Sequence, residues 1–201
     1  MPRTRSEHYD DKKRNLLEVA AKMFADTGYV SCRMEDIAER CDVSKSMLYH
    51  YFKRKEDILY AILSEYVARL NMFIEEFLEQ EVAADRKSYF QNFLTEYLQI
   101  AIESREKHAV TLNDTRWLTA EQLKLQEDLE RRNVDLFVEL LKRVNPGYAV
   151  TEYRVYAFLL IGMINWVGLW YKSSGQISPG ELYDRIGQLF LDGFMTEYKA
   201  R

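Results

Sequence analysis

Apolar residues recur at steps of three and four along most of the chain, which is the spacing of one face of an α-helix. The clearest stripe predicts a long helix over about residues 55–81, with apolar positions at Leu59, Ile62, Leu63, Tyr66, Leu70, Phe73 and Phe77. The same periodicity predicts eight further helices, at about residues 10–27, 32–40, 45–51, 86–104, 107–118, 119–144, 151–171 and 178–194. No convincing strand or internal repeat is present, so we predict an all-α fold of nine helices.

Residues with capping chemistry mark several of the predicted helix ends. Gly28 follows the first helix and is a natural C-terminal stop. Gln122 follows Thr119 by three residues, which is the spacing of a capping box. The predicted N-caps are Ser31, Ser44, Thr119 and Ser178.

The composition is typical of a soluble globular protein, with 47% apolar and 30% charged residues among 201. The longest apolar stretch, residues 153–171, carries Arg154 and Asn165, so we interpret it as a core or interface helix and expect no membrane span. Cys32 and Cys41 have no metal or redox spacing. Residues 1–5 lead into a charged stretch, so we expect no signal peptide and a cytoplasmic protein.

Charge is distributed unevenly along the chain. Residues 1–55 hold 12 Lys and Arg against 9 Asp and Glu, whereas the whole chain has a net charge of −4. The net charge argues against indiscriminate binding to nucleic acid, and the asymmetry suits a small basic head on an acidic body.

Residues 31–55, SCRMEDIAERCDVSKSMLYHYFKRK, predict two short helices joined by a three-residue turn. Ala38 is small at the point where the two helices would cross closely. Their shared core would consist of Ile37, Ala38, Val43 and Leu48. This arrangement is a helix-turn-helix, whose second helix enters the major groove of DNA.

The second short helix would present polar side chains to base edges and phosphate oxygens. Lys53 and Lys55 lie beside a helix start and suit phosphate contacts. Alone, His50 is more often a plain surface residue and the run 53–55 a solvated charge cluster, whereas Phe52 is expected in the core. The predicted DNA-contacting residues are Ser31, Arg33, Ser44, Lys45, Ser46, Tyr49, His50, Lys53 and Lys55.

The segment MEDIAERCDVSKSMLYHYFKRKEDIL, preceded by AAKMFADTGY, resembles the DNA-binding domain of the TetR family. The resemblance implies a DNA-binding domain at residues 1–55, a ligand-binding and dimerisation domain at 56–201, and repression relieved by a ligand. It also implies that Lys55 holds a phosphate, while the exposed face of the second short helix contacts bases. The family usually has glycine where this chain has Asp42; because Asp tolerates a left-handed backbone better than most residues, we expect the turn to persist.

The C-terminal two-thirds carries all three tryptophans and many other aromatic residues, which predicts an apolar ligand site between helices. For any single aromatic residue, a place in the core is the commoner alternative. Asn165 is polar in a nearly all-apolar helix and needs a partner when buried. The predicted ligand-binding residues are Tyr66, Phe73, Tyr97, Arg116, Trp117, Phe158, Asn165, Trp166 and Trp170.

Residues 164–194, INWVGLWYKSSGQISPGELYDRIGQLFLDGF, resemble the end of TetR-type regulators that respond to acyl-CoA thioesters. That resemblance implies a small-molecule effector with an apolar acyl or aromatic part and a charged CoA part. Arg116, Arg154 and Lys172 are candidate partners for anionic groups, although each is more often only a surface charge.

The last two helices are predicted to form a homodimer interface, because four glycines there permit close backbone approach: Gly162, Gly168, Gly187 and Gly193. Two recognition helices must span half-sites about 34–36 Å apart or more, so we predict a double-stranded, palindromic operator. The long helix over 55–81 would link the ligand site to the DNA-binding head. The pattern leaves open whether ligand releases or promotes DNA binding, and whether two dimers share one operator.

Two alternatives belong to other classes of protein. An enzyme would need convergent acid, base, nucleophile or metal groups, whereas His8, His50 and His108 are scattered and no catalytic motif is present. We therefore expect no enzyme, no cofactor and no metal site. A ligand carrier with a degenerate head is the other alternative, and Asp42 is its only indication in the sequence.

Overall fold

The structure, a computed structural model, describes residues 5–82, 85–172 and 174–195, without the side chains of residues 5–8. Residues 1–4, which entered the expectation of no signal peptide, and the His8 side chain therefore lie outside the described residues. Within these ranges the chain forms nine α-helices and no strand, which confirms the all-α prediction. The helices are α1 (Arg5–Thr27), α2 (Met34–Arg40), α3 (Lys45–Tyr51), α4 (Lys55–Glu79), α5 (Arg86–Glu103), α6 (Arg105–Asp114), α7 (Ala120–Val144), α8 (Val150–Trp170) and α9 (Pro179–Phe194). A 3₁₀ turn, Thr115–Trp117, follows α6.

Three of the predicted N-caps are present. Ser44 Oγ accepts the N–H of Met47 at 3.2 Å and begins α3. Thr119 and Gln122 form a capping box for α7: each side chain accepts the other residue's backbone N–H, at 3.3 and 3.1 Å. Ser178 Oγ accepts the N–H of Glu181 at 3.2 Å and caps α9.

The fourth predicted cap, Ser31, was wrong. Helix α2 begins at Met34, and its N-cap is Arg33. The N–H of Arg33 donates to Asp36 Oδ2 at 2.9 Å, so a carboxylate in the first turn performs the capping. Ser31 is left exposed in the loop that precedes the helix.

The chain divides into two compact units. The first comprises the residues up to Tyr66 together with Glu106–Glu127, and the second comprises Val67–Arg105 together with the residues from Asp128 onward. This division differs from the predicted boundary after residue 55, because the first half of α4 and the segment 106–127 pack in the first unit. Helices α4 and α7 each continue from one unit into the other. The functional division into two domains stays a prediction.

One apolar core holds the first unit together, with α1 contacting α2 and α2 contacting α3. Complete burial of one Leu, Ile, Phe or Met side chain stabilises a fold by about 1.5–3 kcal/mol. Phe52 belongs to this core, as expected. Its other large members are Leu16, Leu17, Phe24, Tyr29, Met34, Ile37, Leu48, Ile58, Leu59, Ile62, Leu63 and Val110.

Aromatic residues dominate the core of the second unit. Helix α5 packs against α8 and α9, and Phe90 of α5 stacks on Phe190 with ring centroids 5.4 Å apart. Such pairs contribute about 0.5–1.5 kcal/mol beyond the area they bury. The centroid of Phe93 lies within 5.7 Å of four other rings, those of Phe73, Phe77, Tyr97 and Phe137.

Gly187 permits the close approach of α5 to α9 within a single chain. A Cβ at this position would lie 1.8 Å from Gln91 Oε1. Gln91 Nε2 in turn donates to Tyr183 O at 3.1 Å and to Asp184 Oδ1 at 3.2 Å. Gly187 therefore serves packing inside the second unit, and its place in a dimer interface stays a prediction.

Candidate functional site

Helices α2 and α3 form the predicted helix-turn-helix in the first unit. Asp42, in the turn between them, has a φ of 53° and so adopts the left-handed conformation that usually favours glycine. The N–H of Asp42 donates to Glu39 O at 3.1 Å, and the N–H of Val43 donates to Ala38 O at 3.0 Å. Asp42 therefore preserves the turn, as expected.

Replacing Asp42 with glycine should relieve the backbone strain at φ 53°. We expect Asp42→Gly to raise the free energy of unfolding by about 0.5–1 kcal/mol, since a left-handed conformation is less costly for glycine than for any other residue. Urea titration followed by circular dichroism measures the change. Gly28→Ala, at a φ of 83°, is the matched opposite and should lower stability. A loss of stability in Asp42→Gly would mean that the Asp42 side chain, not its backbone, decides the turn.

Four polar side chains of α3 are exposed, as predicted: Lys45, Ser46, Tyr49 and His50. Leu48 points inward and is fully buried, which fixes the orientation of the helix against α2. Lys45 Nζ lies 3.6 Å from Glu35 Oε1, and Ser46 Oγ lies 3.0 Å from Ser44 Oγ. Both contacts are exposed to solvent, where an ion pair contributes little, so the groups are free to turn toward DNA.

Tyr9, on α1, is a candidate DNA-contacting residue that the sequence analysis missed. Its ring packs against Tyr51 at 4.5 Å and against His50 at 6.3 Å between centroids. Tyr9 is 42% exposed, so its side chain extends the exposed surface of α3. Only the aromatic character of the residue could have indicated this, since no local pattern places α1 beside α3.

Of the other predicted DNA contacts, Ser31, Arg33, Ser44 and Lys53 are exposed. Ser31 and Arg33 lie in the loop and N-cap before α2, and Lys53 lies between α3 and α4. Ser44 and Lys53 flank α3 in the chain, whereas Ser31 and Arg33 precede α2. All four lie outside the exposed face of α3 and suit phosphate contacts more than base contacts.

Lys55 has a different place from the one that the family resemblance implied. Its Nζ donates to Tyr29 O at 2.8 Å, to Cys32 O at 2.8 Å and to Val30 O at 3.4 Å. The ammonium also lies 4.2 Å from the centroid of the Tyr29 ring, a cation–π distance. Because an ammonium has three N–H donors, these contacts use them all. Lys55 therefore fixes the loop between α1 and α2, and we drop it from the candidate phosphate contacts.

The nine predicted ligand-binding residues do not belong to one compact unit. Tyr66, Arg116 and Trp117 are in the first unit. Tyr66 Oη lies 2.9 Å from Nδ1 of the buried His108, so it is part of that unit's interior. Phe73 and Tyr97 lie in the aromatic core of the second unit. The sequence pattern showed their aromatic character but not which of them meet.

Two buried amides, which the sequence analysis missed, join Tyr97 in the second unit. Asn133 Nδ2 donates to Asn71 Oδ1 at 2.8 Å, and Asn71 Nδ2 donates to Leu129 O at 3.0 Å. Burial raises the pKa of Tyr97, and a hydrogen bond with Asn133 offsets part of that shift. The hydroxyl of Tyr89, also buried in this core, has no hydrogen-bond partner among the described residues. An amide at an otherwise apolar helix position is the signal that could have revealed this polar cluster.

Helix α8 leaves large apolar side chains exposed on one face, although 28% of its most apolar window is buried. It is the one helix in the described ranges that is long and apolar enough to cross a membrane by length and composition, with a mean hydropathy of 1.2. Asn165 of α8 is half-buried. The exposed large apolar positions are spaced by three, four and seven residues, as on one side of a helix, and we call them the apolar stripe: Val155, Phe158, Leu159, Trp166, Leu169 and Trp170.

Three members of the apolar stripe, Phe158, Trp166 and Trp170, were predicted to bind ligand. They are between 46% and 64% exposed, so none of them lines the interior of the second unit. Leu189 of α9, in the same unit, is 70% exposed. Several large apolar side chains exposed on one helix are typical of an interaction face.

Two family models match the chain. The model described as "Bacterial regulatory proteins, tetR family" matches residues 16–62, and the one described as "Tetracyclin repressor-like, C-terminal domain" matches residues 83–194. The transcriptional repressor KstR2 of Mycolicibacterium smegmatis is 27% identical over 190 residues, which cover 90% of this chain and 87% of that protein.

Solved structures are also similar to this chain. A TetR-family transcriptional regulator from Bordetella parapertussis has a TM-score of 0.82 and 34% identity, covering 96% of this chain and 100% of that chain. AibR in complex with isovaleryl coenzyme A and operator DNA has a TM-score of 0.75 and 22% identity, covering 89% and 97%, and shows similarity of fold.

Proposed function

The chain belongs to the TetR family of bacterial transcriptional regulators, and on that premise we propose that it is a homodimeric repressor that a small hydrophobic or acyl-CoA-type effector releases from a palindromic operator. The family and the similar proteins are regulators of transcription and not enzymes. The observation that carries the proposal is the intact helix-turn-helix. In it, α3 packs against the core through Leu48 and presents four polar side chains to solvent. Because Asp42 keeps the turn, the carrier alternative loses its only indication.

The proposed DNA contacts fall into two groups. Lys45, Ser46, Tyr49 and His50 are proposed to contact bases in the major groove, since they occupy the exposed face of α3. Phosphate contacts are proposed for the exposed residues before α2, Ser31 and Arg33, and for those on either side of α3, Ser44 and Lys53. A cytoplasmic location follows from this activity, because the operator is there.

The apolar stripe is the proposed dimer interface, with a second copy of this chain as its occupant. A helix-turn-helix regulator needs two recognition helices for a palindrome, so the second copy is required by the mode of DNA binding. Gly162 lies within the span of the stripe, and a Cβ there would meet nothing within 4 Å in a single chain. We accordingly assign Phe158, Trp166 and Trp170 to the interface in place of the ligand site.

The core of the second unit is the proposed effector site. Its aromatic rings suit an apolar acyl or ring system, and the polar cluster of Asn71, Asn133 and Tyr97 could pair with one carbonyl or hydroxyl of the effector. That AibR is a complex with isovaleryl coenzyme A supports an acyl thioester as one member of this class. Arg154, which lies 3.3 Å from Asp135, and Lys172 stay candidate partners for the CoA phosphates.

Release of DNA would be a shift of population between two states of the dimer. Operator DNA favours one separation of the two recognition helices and the effector favours another, so each weakens the binding of the other. Helix α4 runs from the first unit into the second and carries both Asp57, near its start, and Asn71 of the polar cluster. A displacement of α4 at Asn71 is thus the proposed route of the signal.

The test is titration of the purified protein into a fluorescent DNA fragment from the region upstream of its own gene. We expect specific binding that weakens with salt and is reversed by one class of acyl-CoA ester but not by its free acid. Binding that no ester reverses would keep the repressor and contradict the acyl-CoA class. An absence of specific binding to this fragment and to neighbouring promoters would contradict the repressor itself.

A further inference from the structure

The segment 106–127 lies beyond the helix-turn-helix in sequence but packs with it in the first unit. Two of its side chains reach elements that position α2 and α4. Trp117, in the 3₁₀ turn, stacks on Tyr29 with ring centroids 5.9 Å apart and an interplanar angle of 24°. Gln122, at the start of α7, donates from Nε2 to Asp57 Oδ1 at 3.0 Å. We call residues 115–122 the clamp.

Trp117 acts on the loop between α1 and α2. Tyr29 lies in this loop, is 5% exposed, and also packs edge-on against Phe24 of α1. Lys55 lies over the same ring and holds three carbonyls of the loop, as described above. Trp117 is itself oriented by a hydrogen bond with the carboxyl of Asp114, a group whose pKa burial raises. The stack therefore helps to hold the loop from which α2 begins.

Gln122 links the N-terminal ends of two helices. Its Oε1 accepts the N–H of Thr119 and caps α7, while its Nε2 reaches Asp57 in the first turn of α4. Asp57 caps α4, because its Oδ2 accepts the N–H of Arg54 at 3.1 Å and its Oδ1 accepts from Arg54 Nη2 at 3.0 Å. With an exposed fraction of only 8%, Gln122 makes these contacts away from solvent. The start of α7 and the start of α4 are thus joined by one amide.

We propose that the clamp holds the helix-turn-helix in its DNA-binding arrangement, with Trp117 and Gln122 as positioning residues. Neither residue touches the exposed face of α3, so both act through Tyr29 and Asp57. Helix α7 continues from the clamp into the second unit, so a change in α7 would reach the clamp directly along the helix. Arg116 and Trp117 accordingly belong to the coupling between effector and DNA, not to the effector site. This inference rests on the proposed function for its link to the operator.

Trp117→Ala and Gln122→Ala are the test variants, and because Trp117 is 40% exposed its removal leaves the core intact. We expect each to weaken operator binding about tenfold, the equivalent of about 1.4 kcal/mol, with effector affinity unchanged. Trp117→Phe preserves a stacking ring and should stay within about threefold of the unaltered protein. Leu112→Ala, on α6 and 38% exposed, is the control and should change nothing. Operator affinity of Trp117→Ala within twofold of the unaltered protein would contradict the proposal.

Amide hydrogen exchange in the DNA-free protein tests the clamp independently of any operator. In Trp117→Ala, exchange should accelerate about tenfold at residues 29–33 and not at residues 89–98 of α5. Equal acceleration in both segments would show a general loss of stability and overturn the proposal, as would no acceleration at 29–33. If the unaltered protein bound no DNA, the proposed function would fail while this measurement still decided the clamp.

Discussion

Trp166→Glu is expected to convert the proposed dimer into monomers and to weaken operator binding strongly. Trp166 is 64% exposed in the single chain and is the most exposed residue of the apolar stripe. In the proposed symmetric dimer the substitution would bury two unpaired carboxylates, each of which costs several kcal/mol. We expect the dimer dissociation constant to rise at least about 1,000-fold. Sedimentation velocity at micromolar concentration measures it.

Operator binding should fall with the dimer, by at least about 100-fold, since a monomer contacts only one half-site. Met72→Glu is the matched control: Met72 is 59% exposed on α4, and its substitution introduces the same charge outside α8 and α9. Circular dichroism should show both variants folded. A Trp166→Glu protein that remains dimeric would place the interface elsewhere.

Tyr49→Ala is expected to weaken binding to the operator by about 100-fold, because a base contact is worth about 1–3 kcal/mol and the dimer loses two of them. Tyr49 is 44% exposed and outside the core, so the melting temperature should stay unchanged. Binding to random DNA should be nearly unaffected, since phosphate contacts remain. Fluorescence anisotropy with operator and scrambled duplexes measures the two affinities.

Lys53→Ala is expected to behave differently from Tyr49→Ala, because Lys53 is a proposed phosphate contact and Tyr49 a proposed base contact. It should weaken operator and random DNA alike and lower the slope of log affinity against log salt by about two per dimer. Lys22→Ala removes an equally exposed charge on α1, where Lys22 pairs with Asp26, and should leave both affinities unchanged. If Tyr49→Ala lost affinity for random DNA as strongly as for the operator, its proposed role at the bases would be wrong.

Local sequence accounts for most of the helical architecture. Ser44 and the Thr119–Gln122 pair cap the helices that they were predicted to cap, because a cap joins residues only two or three positions apart. Ser31 does not cap α2, because the carboxylate of Asp36 accepts the N–H of Arg33 and the helix begins after Arg33. Short-range chemistry thus predicts that a helix begins, while the choice between neighbouring caps depends on the final backbone.

Contacts between distant parts of the chain account for what was missed. Lys55 was expected at a phosphate, yet its partners are carbonyls more than twenty residues earlier. Trp117 was expected at a ligand, yet it stacks on Tyr29. The amides of Asn71 and Asn133 each stand out locally, but that they pair was not visible in the sequence, because they lie on different helices 62 residues apart.

The amino-acid sequence by itself therefore determined the nine helices of the described ranges, the helix-turn-helix and the exposed polar face of α3, since periodicity, caps and turn residues act over a few positions. Only the tertiary structure decided that the segment 106–127 packs with the DNA-binding unit, that Gly187 serves α5 and α9, and that the tryptophans of α8 face outward. An aromatic residue can equally well fill a core, a ligand site or an interface. Its place is settled by which surfaces remain uncovered once all the helices have packed.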